Sequence, residues 1–316
     1  MEEFRVGGMN YQEYRDLAAK EFSLEEPQFD PSGYGECLED LVYDEISGER
    51  LDLYRPSGKG RDLPVLVYIH GGGYVLGNKR CNARPLALLE RGYAVAMIEY
   101  TKATKEPFPA QIRQVKRAIA FLKQRADEYG LDRNRIALYG ESAGGNLAAL
   151  AGTTGNRERF GLPDTGEYDV QAVVTDFAPI NMNRISSELE QLGEKADDGL
   201  WAPLNSCGLY LGGFLKEHPE LAQRANPETY ITEECPPFFV QHGMSHRGLP
   251  YLQAEHFAKC LSEKIGEENV YLSLLPDVGG GDDPGYFTEK NLEKEYAFLD
   301  KVLKVGDKGV GNEQVD

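Results

Sequence analysis

No stretch of this chain approaches the roughly 20 consecutive apolar residues that a membrane-spanning helix requires. Positive charge is scarce as well. Over 316 residues, 34 Lys and Arg face 52 Asp and Glu, for a formal net charge of −18. A field of that sign repels phosphate backbones and anionic headgroups, which excludes nucleic acid and acidic membranes as expected partners. Five cysteines, Cys37, Cys81, Cys207, Cys235 and Cys260, are scattered and odd in number, with no C-x-x-C pair. That spacing builds neither a disulfide framework nor a zinc site, so they read as core thiols. Cys207 stands apart because it falls in a long insertion. The first residues, Met1-Glu2-Glu3-Phe4-Arg5, carry acids where a signal peptide carries bases. The expectation is a soluble, cytoplasmic protein. Histidine is the last scarcity: His70, His218, His242, His246 and His256 are all there are.

What is present is core-forming. Hydrophobic residues make up 41% and aromatics 10%, enough for a sizeable interior. Residues 1–38 are polar and Glu-rich and read as an N-terminal arm with a helix near 10–21. Two alternating runs, Leu41–Asp44 and Leu51–Tyr54, flank Ser47-Gly48 as a hairpin. Short, continuously apolar runs follow at Pro64–Ile69, Tyr93–Ile98, Arg135–Tyr139, Ala172–Phe177, Pro237–His242 and 270–275. Runs of that kind form strands buried on both faces. Between them lie helical patterns at 82–90, 109–129, 142–152, 250–264 and 288–304, the second marked by Ile112, Val115, Ile119 and Leu122. The alternation predicts an α/β fold, with a mostly parallel central sheet and helices on both faces. From 178 to about 232 the periodicity fades, a length expected of a lid or binding insertion. Residues 39–304 therefore form one domain carrying an inserted cap, and 305–316 a polar C-terminal tail.

Chemistry concentrates at two glycine-rich turns. Gly140-Glu141-Ser142-Ala143-Gly144 stands between a predicted strand and a predicted helix, the context of a nucleophile elbow. Such a turn strains the serine backbone and exposes its hydroxyl at a helix N-terminus, where developing negative charge is favoured. Upstream, His70-Gly71-Gly72-Gly73-Tyr74 follows a buried strand. Its unobstructed N–H groups suit an oxyanion hole, with Gly72, Gly73 and Ala143 as the expected donors.

Together with Tyr54-Arg55-Pro56, Pro107-Phe108-Pro109-Ala110-Gln111 and Pro236-Pro237-Phe238-Phe239, these segments resemble the α/β-hydrolase carboxylesterases of the hormone-sensitive-lipase and feruloyl-esterase-like group. The resemblance spans about residues 40–304. It implies the α/β-hydrolase fold, a cap, no cofactor, no metal, a small-molecule ester or carbonyl ligand, and ester cleavage through an acyl-serine at Ser142. Homo-oligomerisation is left open.

The chain departs from that pattern at two positions. Where the family places an acid, in a segment like H-G-x-x-D, the sequence reads His242-Gly243-Met244-Ser245-His246. Where the family places its catalytic histidine, the loop Leu275–Asp283 holds Gly280. A serine hydroxyl attacks poorly without a base, and loss of a triad member leaves roughly 10³–10⁴-fold catalysis over water. Three accounts stay open. The roles are exchanged, with His246 as base oriented by Asp282 or Asp283. Or the protein no longer hydrolyses and binds a ligand, or catalyses something else, on the same scaffold, as gibberellin receptors and alkaloid-forming cyclases that resemble this fold do. Or the substitutions were introduced into an active esterase. His242 and His246 stand four apart, but without the glutamate of H-E-x-x-H they predict no metal site.

Overall fold

In a computed structural model, residues 5–6, 9–22, 27–58, 60–164, 166–194, 206–213, 219–281 and 283–303 are described. A two-stranded hairpin, β1 (Arg5–Val6) and β2 (Met9–Asn10), precedes helix α1 (Tyr11–Glu21). The central sheet has eight strands: β3 (Glu36–Asp44), β4 (Glu49–Arg55), β5 (Leu63–Ile69), β6 (Ala94–Ile98), β7 (Leu131–Glu141), β8 (Ala172–Asp176), β9 (Phe238–Gly243) and β10 (Val270–Leu275). Their order is β10-β9-β8-β7-β5-β6-β4-β3. The six strands from β10 to β6 run parallel, and β4 pairs antiparallel with β6, and β3 with β4. The alternation of buried runs and helices predicts this mostly parallel sheet with helices around it, and the family resemblance implies its α/β-hydrolase arrangement.

The helices are α2 (Ala110–Gln124), α3 (Ala126–Tyr129), α4 (Ala143–Thr154), α5 (Ile185–Gln191), α6 (Ser206–Leu211), α7 (Pro219–Ala225), α8 (Leu252–Ile265) and α9 (Glu289–Leu303). Strand β5 shows why its sequence is apolar at every position. Val65, Val67 and Ile69 face one side, in a buried cluster with Ile112 and Ile119 of α2 and Leu147 of α4. Leu66 and Tyr68 face the other side, with Leu86 and Leu88 of a 3₁₀ turn (Arg84–Leu89) and Phe298 and Leu299 of α9. Period-2 alternation sends successive side chains to opposite faces, and both faces are covered. Each fully buried Leu or Ile contributes about 1.5–3 kcal/mol.

Several expectations shift. The 82–90 pattern forms that 3₁₀ turn and not an α-helix. The 109–129 helix breaks at Arg125 into α2 and α3 and closes on Gly130 in the left-handed region, φ 66°. The sheet starts at Glu36, inside the segment assigned to the arm, and Tyr14 and Ala18 of α1 are fully buried in the main core. The 178–232 insertion carries α5, α6 and α7, which at six or seven residues are too short to show a periodic stripe. The expected tail at 305–316 lies outside the described residues.

Candidate active site

Parallel strands place their carboxyl ends together. Registers pair Ile69 with Gly140, Glu141 with Asp176, and Asp176 with Gln241, so the ends of β5, β7, β8 and β9 share one edge. In open α/β sheets that edge is where ligands bind.

Ser142 sits there between β7 and α4, at φ 52° and ψ −119°. A non-glycine residue in that region costs of order 1–3 kcal/mol and persists only where its surroundings enforce it. The enforcement is visible. Ser142 N–H donates to Asp176 O at 2.9 Å, and Asn146 N–H to Ser142 O at 3.0 Å. A Cβ on Gly140 would collide with the carbonyl of Gly144, and one on Gly144 with the carbonyl of Ile69. The motif's glycines are therefore dictated by strand-to-helix contact.

The second glycine turn lies against the first. A Cβ on Gly71 would stand 3.4 Å from Ser142 Cβ. Gly72 has φ 100° and Gly73 φ 59°, and Gly72 O accepts from Val75 N and Leu76 N at 3.1 and 2.8 Å. No acceptor among the described residues takes the N–H of Gly72 or Gly73. Behind the turn, His70 is fully buried and stacks on Tyr100 with centroids 4.2 Å apart. Its Nδ1 lies 2.7 Å from Gly71 O, and its Nε2 3.0 Å from both Glu99 Oε1 and Lys102 Nζ. Burial alone would raise Glu99, but His70 and Lys102 outweigh it and draw its carboxyl down to about 2. His70 is thus committed to holding the turn.

A cavity of about 500 Å³ brings Ser142, Gly71, Gly72 and His246 onto one wall, with Arg84 and Glu141 beside them. Ser142 and His246 both line it, with the Nδ1 of the imidazole turned to the backbone. His246 Nδ1 accepts from Gly248 N at 3.2 Å and Leu249 N at 3.0 Å. Backbone N–H groups only donate, so the neutral ring carries its proton on Nε2. A triad base needs the reverse, with Nδ1–H oriented by an acid and Nε2 facing the serine. No hydrogen bond joins Ser142 Oγ to an imidazole among the described residues.

Of the two acids offered to orient it, Asp283 is described. Asp283 spends both carboxylate oxygens on backbone, accepting from Gly279 N and Gly285 N at 2.8 Å each. Those bonds hold its carboxyl below the usual range and cap the turn Pro284–Phe287, so Asp283 does not orient His246. Asp282 lies outside the described residues. Gly280 lies in the loop between β10 and that turn, where its carbonyl accepts from Asp283 N at 2.9 Å. Beside it, a Cβ on Gly281 would collide with the ring of Phe177. That ring, at φ 38°, lines the cavity and packs on Tyr286. Tyr286 Oη accepts from Gly243 N at 2.7 Å and donates to Gly279 O at 3.3 Å, fastening this loop to the end of β9.

Below the site lies a set of buried acids. Asp176 Oδ2 accepts from Tyr139 Oη at 2.9 Å and Oδ1 from Gln241 Nε2 at 3.2 Å. Gln241 Nε2 also donates to Glu295 Oε1 at 2.7 Å. Burial, then the charge of Glu141, pushes the Asp176 carboxyl up to about 8. Burial likewise raises Glu295 and Glu141. Asp176 closes the end of β8 through these bonds; of Asp176, Glu141, Glu295, Arg84 and Phe177, none is marked out by the sequence motifs as a site residue. Only Glu141 carried a signal, as the variable residue inside G-x-S-x-G.

His242 is a fully buried strand-end residue, its Nδ1 3.0 Å from Gly243 O and its ring held neutral by burial, which draws it down to about 3. Among the described residues no cluster of three His, Cys, Asp or Glu could hold a metal, and no helix is long and apolar enough to cross a membrane. In the 178–232 insertion Leu209 and Tyr210 are fully buried, with Tyr210 stacked on Tyr74 at 3.7 Å. Trp201 and Phe214 lie outside the described residues. Burial pushes the Cys207 thiol up to about 11, which leaves it unreactive.

The sheet order, the strained serine between β7 and α4 and the glycine turn against it define an α/β-hydrolase fold. The BD-FAE family model matches residues 51–261, and the chain belongs to that family. Among curated proteins it is 34% identical over 249 residues to the probable carboxylic ester hydrolase LipM of Mycobacterium tuberculosis, covering 74% of this chain and 54% of that one. It is 30% identical to the esterase LipC of the same organism, covering 77% and 59%. The chain thus spans little more than half the length of these relatives, which are carboxylic ester hydrolases. Among solved structures, a bifunctional GH43-CE protein of Bacteroides eggerthii matches with TM-score 0.74 at 29% identity, covering 84% of this chain and 35% of that one. A truncated carbohydrate esterase from gut microbiota shares the fold, with TM-score 0.75 at 21% identity, covering 88% and 100%.

Proposed function

We propose that this chain is a carboxylic-ester hydrolase in which Ser142 attacks the ester carbonyl, the N–H groups of Gly72, Gly73 and Ala143 receive the oxyanion, and His246 takes the serine proton. The observation that carries this reading is the strained Ser142 backbone, held in the left-handed region against the Gly71–Gly73 turn. Such strain is retained where an exposed hydroxyl is used. The occupied Nδ1 of His246 is a small obstacle. Turning the ring gives up two backbone bonds of about 0.5–1.5 kcal/mol each, one or two powers of ten in rate. A triad as a whole is worth roughly 10⁶. The 178–232 insertion serves as the cap, since Ser206 of α6 sits beside Gly73, 3.1 Å from where a Cβ would be.

The reading is tested by turnover of p-nitrophenyl acetate and labelling by a fluorophosphonate. Turnover lost in Ser142→Ala and strongly reduced in His246→Ala is expected. Turnover indifferent to His246→Ala removes the base assignment. A second reading, a non-hydrolytic binder of a carbonyl ligand, is favoured by the missing Ser142–imidazole bond, and absence of both turnover and labelling selects it.

A further inference from the structure

Arg84 supplies the single Lys or Arg side chain on the wall of the Ser142 cavity among the described residues. Its guanidinium is clamped in place: Cζ lies 3.2 Å from the centroid of the Phe287 ring, and Nη2 stands 3.3 and 3.4 Å from the two Glu141 carboxylate oxygens. Those contacts are long. Glu141 takes its short bond from Asn82 Nδ2 at 2.6 Å. Nearby Arg80 shows what a saturated structural arginine looks like here, with Nε 2.6 Å from Asp52 and Nη2 2.5 Å from Glu39. By contrast, Nε and Nη1 of Arg84 donate to no acceptor among the described residues, and the side chain is 39% exposed.

A guanidinium held over an aromatic ring with unspent donors is pre-organised for a carboxylate, which it binds through paired, charge-assisted hydrogen bonds. The rest of the wall includes Tyr68, Leu76 and Phe177, which suit an apolar body. We infer that Arg84 is a specificity residue that selects esters carrying a free carboxylate on an apolar body, placed within reach of the bond presented to Ser142. This rests on the ester-site reading above and adds the charge of the substrate to it. In a chain of net charge −18, anionic molecules in general are repelled. A local cation inside the cavity makes the choice one of fit.

The test separates binding from turnover. Calorimetry on Ser142→Ala compares 4-acetoxybenzoate with its neutral amide, 4-acetoxybenzamide. The carboxylate is expected to bind about 10- to 100-fold more tightly. Arg84→Gln should abolish that preference while leaving the amide's affinity unchanged, and Arg84→Lys should restore only part of it, being a charge without the fork. Equal affinities, no binding of either compound, or a preference that survives Arg84→Gln overturns the inference. If Arg84→Gln does not fold, Phe287→Leu, which unclamps the guanidinium, must reduce the preference, and indifference to it overturns the inference. Preference without hydrolysis of 4-acetoxybenzoate by the wild type would sink the hydrolase reading alone. Hydrolysis of both compounds with equal affinity would sink this inference alone.

Discussion

Replacing Asp176 by Asn should change how stability depends on pH, by an amount that follows from where this carboxyl sits. Asp176 is fully buried at the end of β8. Burial, reinforced by the charge of Glu141, raises it from an ordinary 3.8 to about 8. The folded protein therefore keeps a proton that the unfolded chain has already lost. The stabilising contribution is complete below pH 3.8 and disappears as pH rises through about 8. In that window one proton changes stability by at most about 1.36 kcal/mol per pH unit. Over about 2.5 units, from about pH 5 to about pH 7.5, the wild type should lose about 3 kcal/mol relative to Asp176→Asn, whose amide cannot titrate. Urea unfolding of both proteins across that range gives the difference directly. Comparing the two chains removes groups outside this acid cluster, such as Lys116, drawn down to about 7 by burial, and His242; Glu295, raised in part by the charge of Asp176, titrates differently in the variant. Parallel stability curves, or a difference that moves in favour of the wild type as pH rises, would refute the reasoning.

Ser142→Gly should raise unfolding free energy by about 1–2 kcal/mol in chemical denaturation, because glycine occupies the φ 52° region without strain, while any turnover is lost; an unchanged or lower stability would mean that the elbow is not strained. Tyr286→Phe removes the oxygen that receives Gly243 N–H at 2.7 Å and should cost about 1–3 kcal/mol for the buried donor left unpaired. Its melting temperature beside that of the wild type measures this, and an unchanged value would show that water replaces the hydroxyl.

Elements legible in the sequence were those whose own residues carry a period or a steric demand. The apolar run of β5 and the spaced Ile112, Val115, Ile119 and Leu122 of α2 lie within the observed elements. Helices α5–α7 escaped because six or seven residues do not make a stripe. The elbow and the glycine turn were legible because a Cβ at Gly140 or Gly144 has nowhere to go, so the motif follows from contact geometry. Arg84 and Phe287 are 203 positions apart, and no local pattern announces that one ring supports the other's charge.

From residue order alone came the alternation of buried strands and helices, a serine at a tight turn, and the loss of acid and base from their usual places. These are local facts, set by side-chain size, polarity and neighbours in the chain. Folding decided the rest, because hydrogen-bond direction and burial exist only between segments. It spent Asp283 on two backbone amides, turned Nδ1 of His246 onto two others, and raised Asp176 by stacking acids beneath the sheet edge.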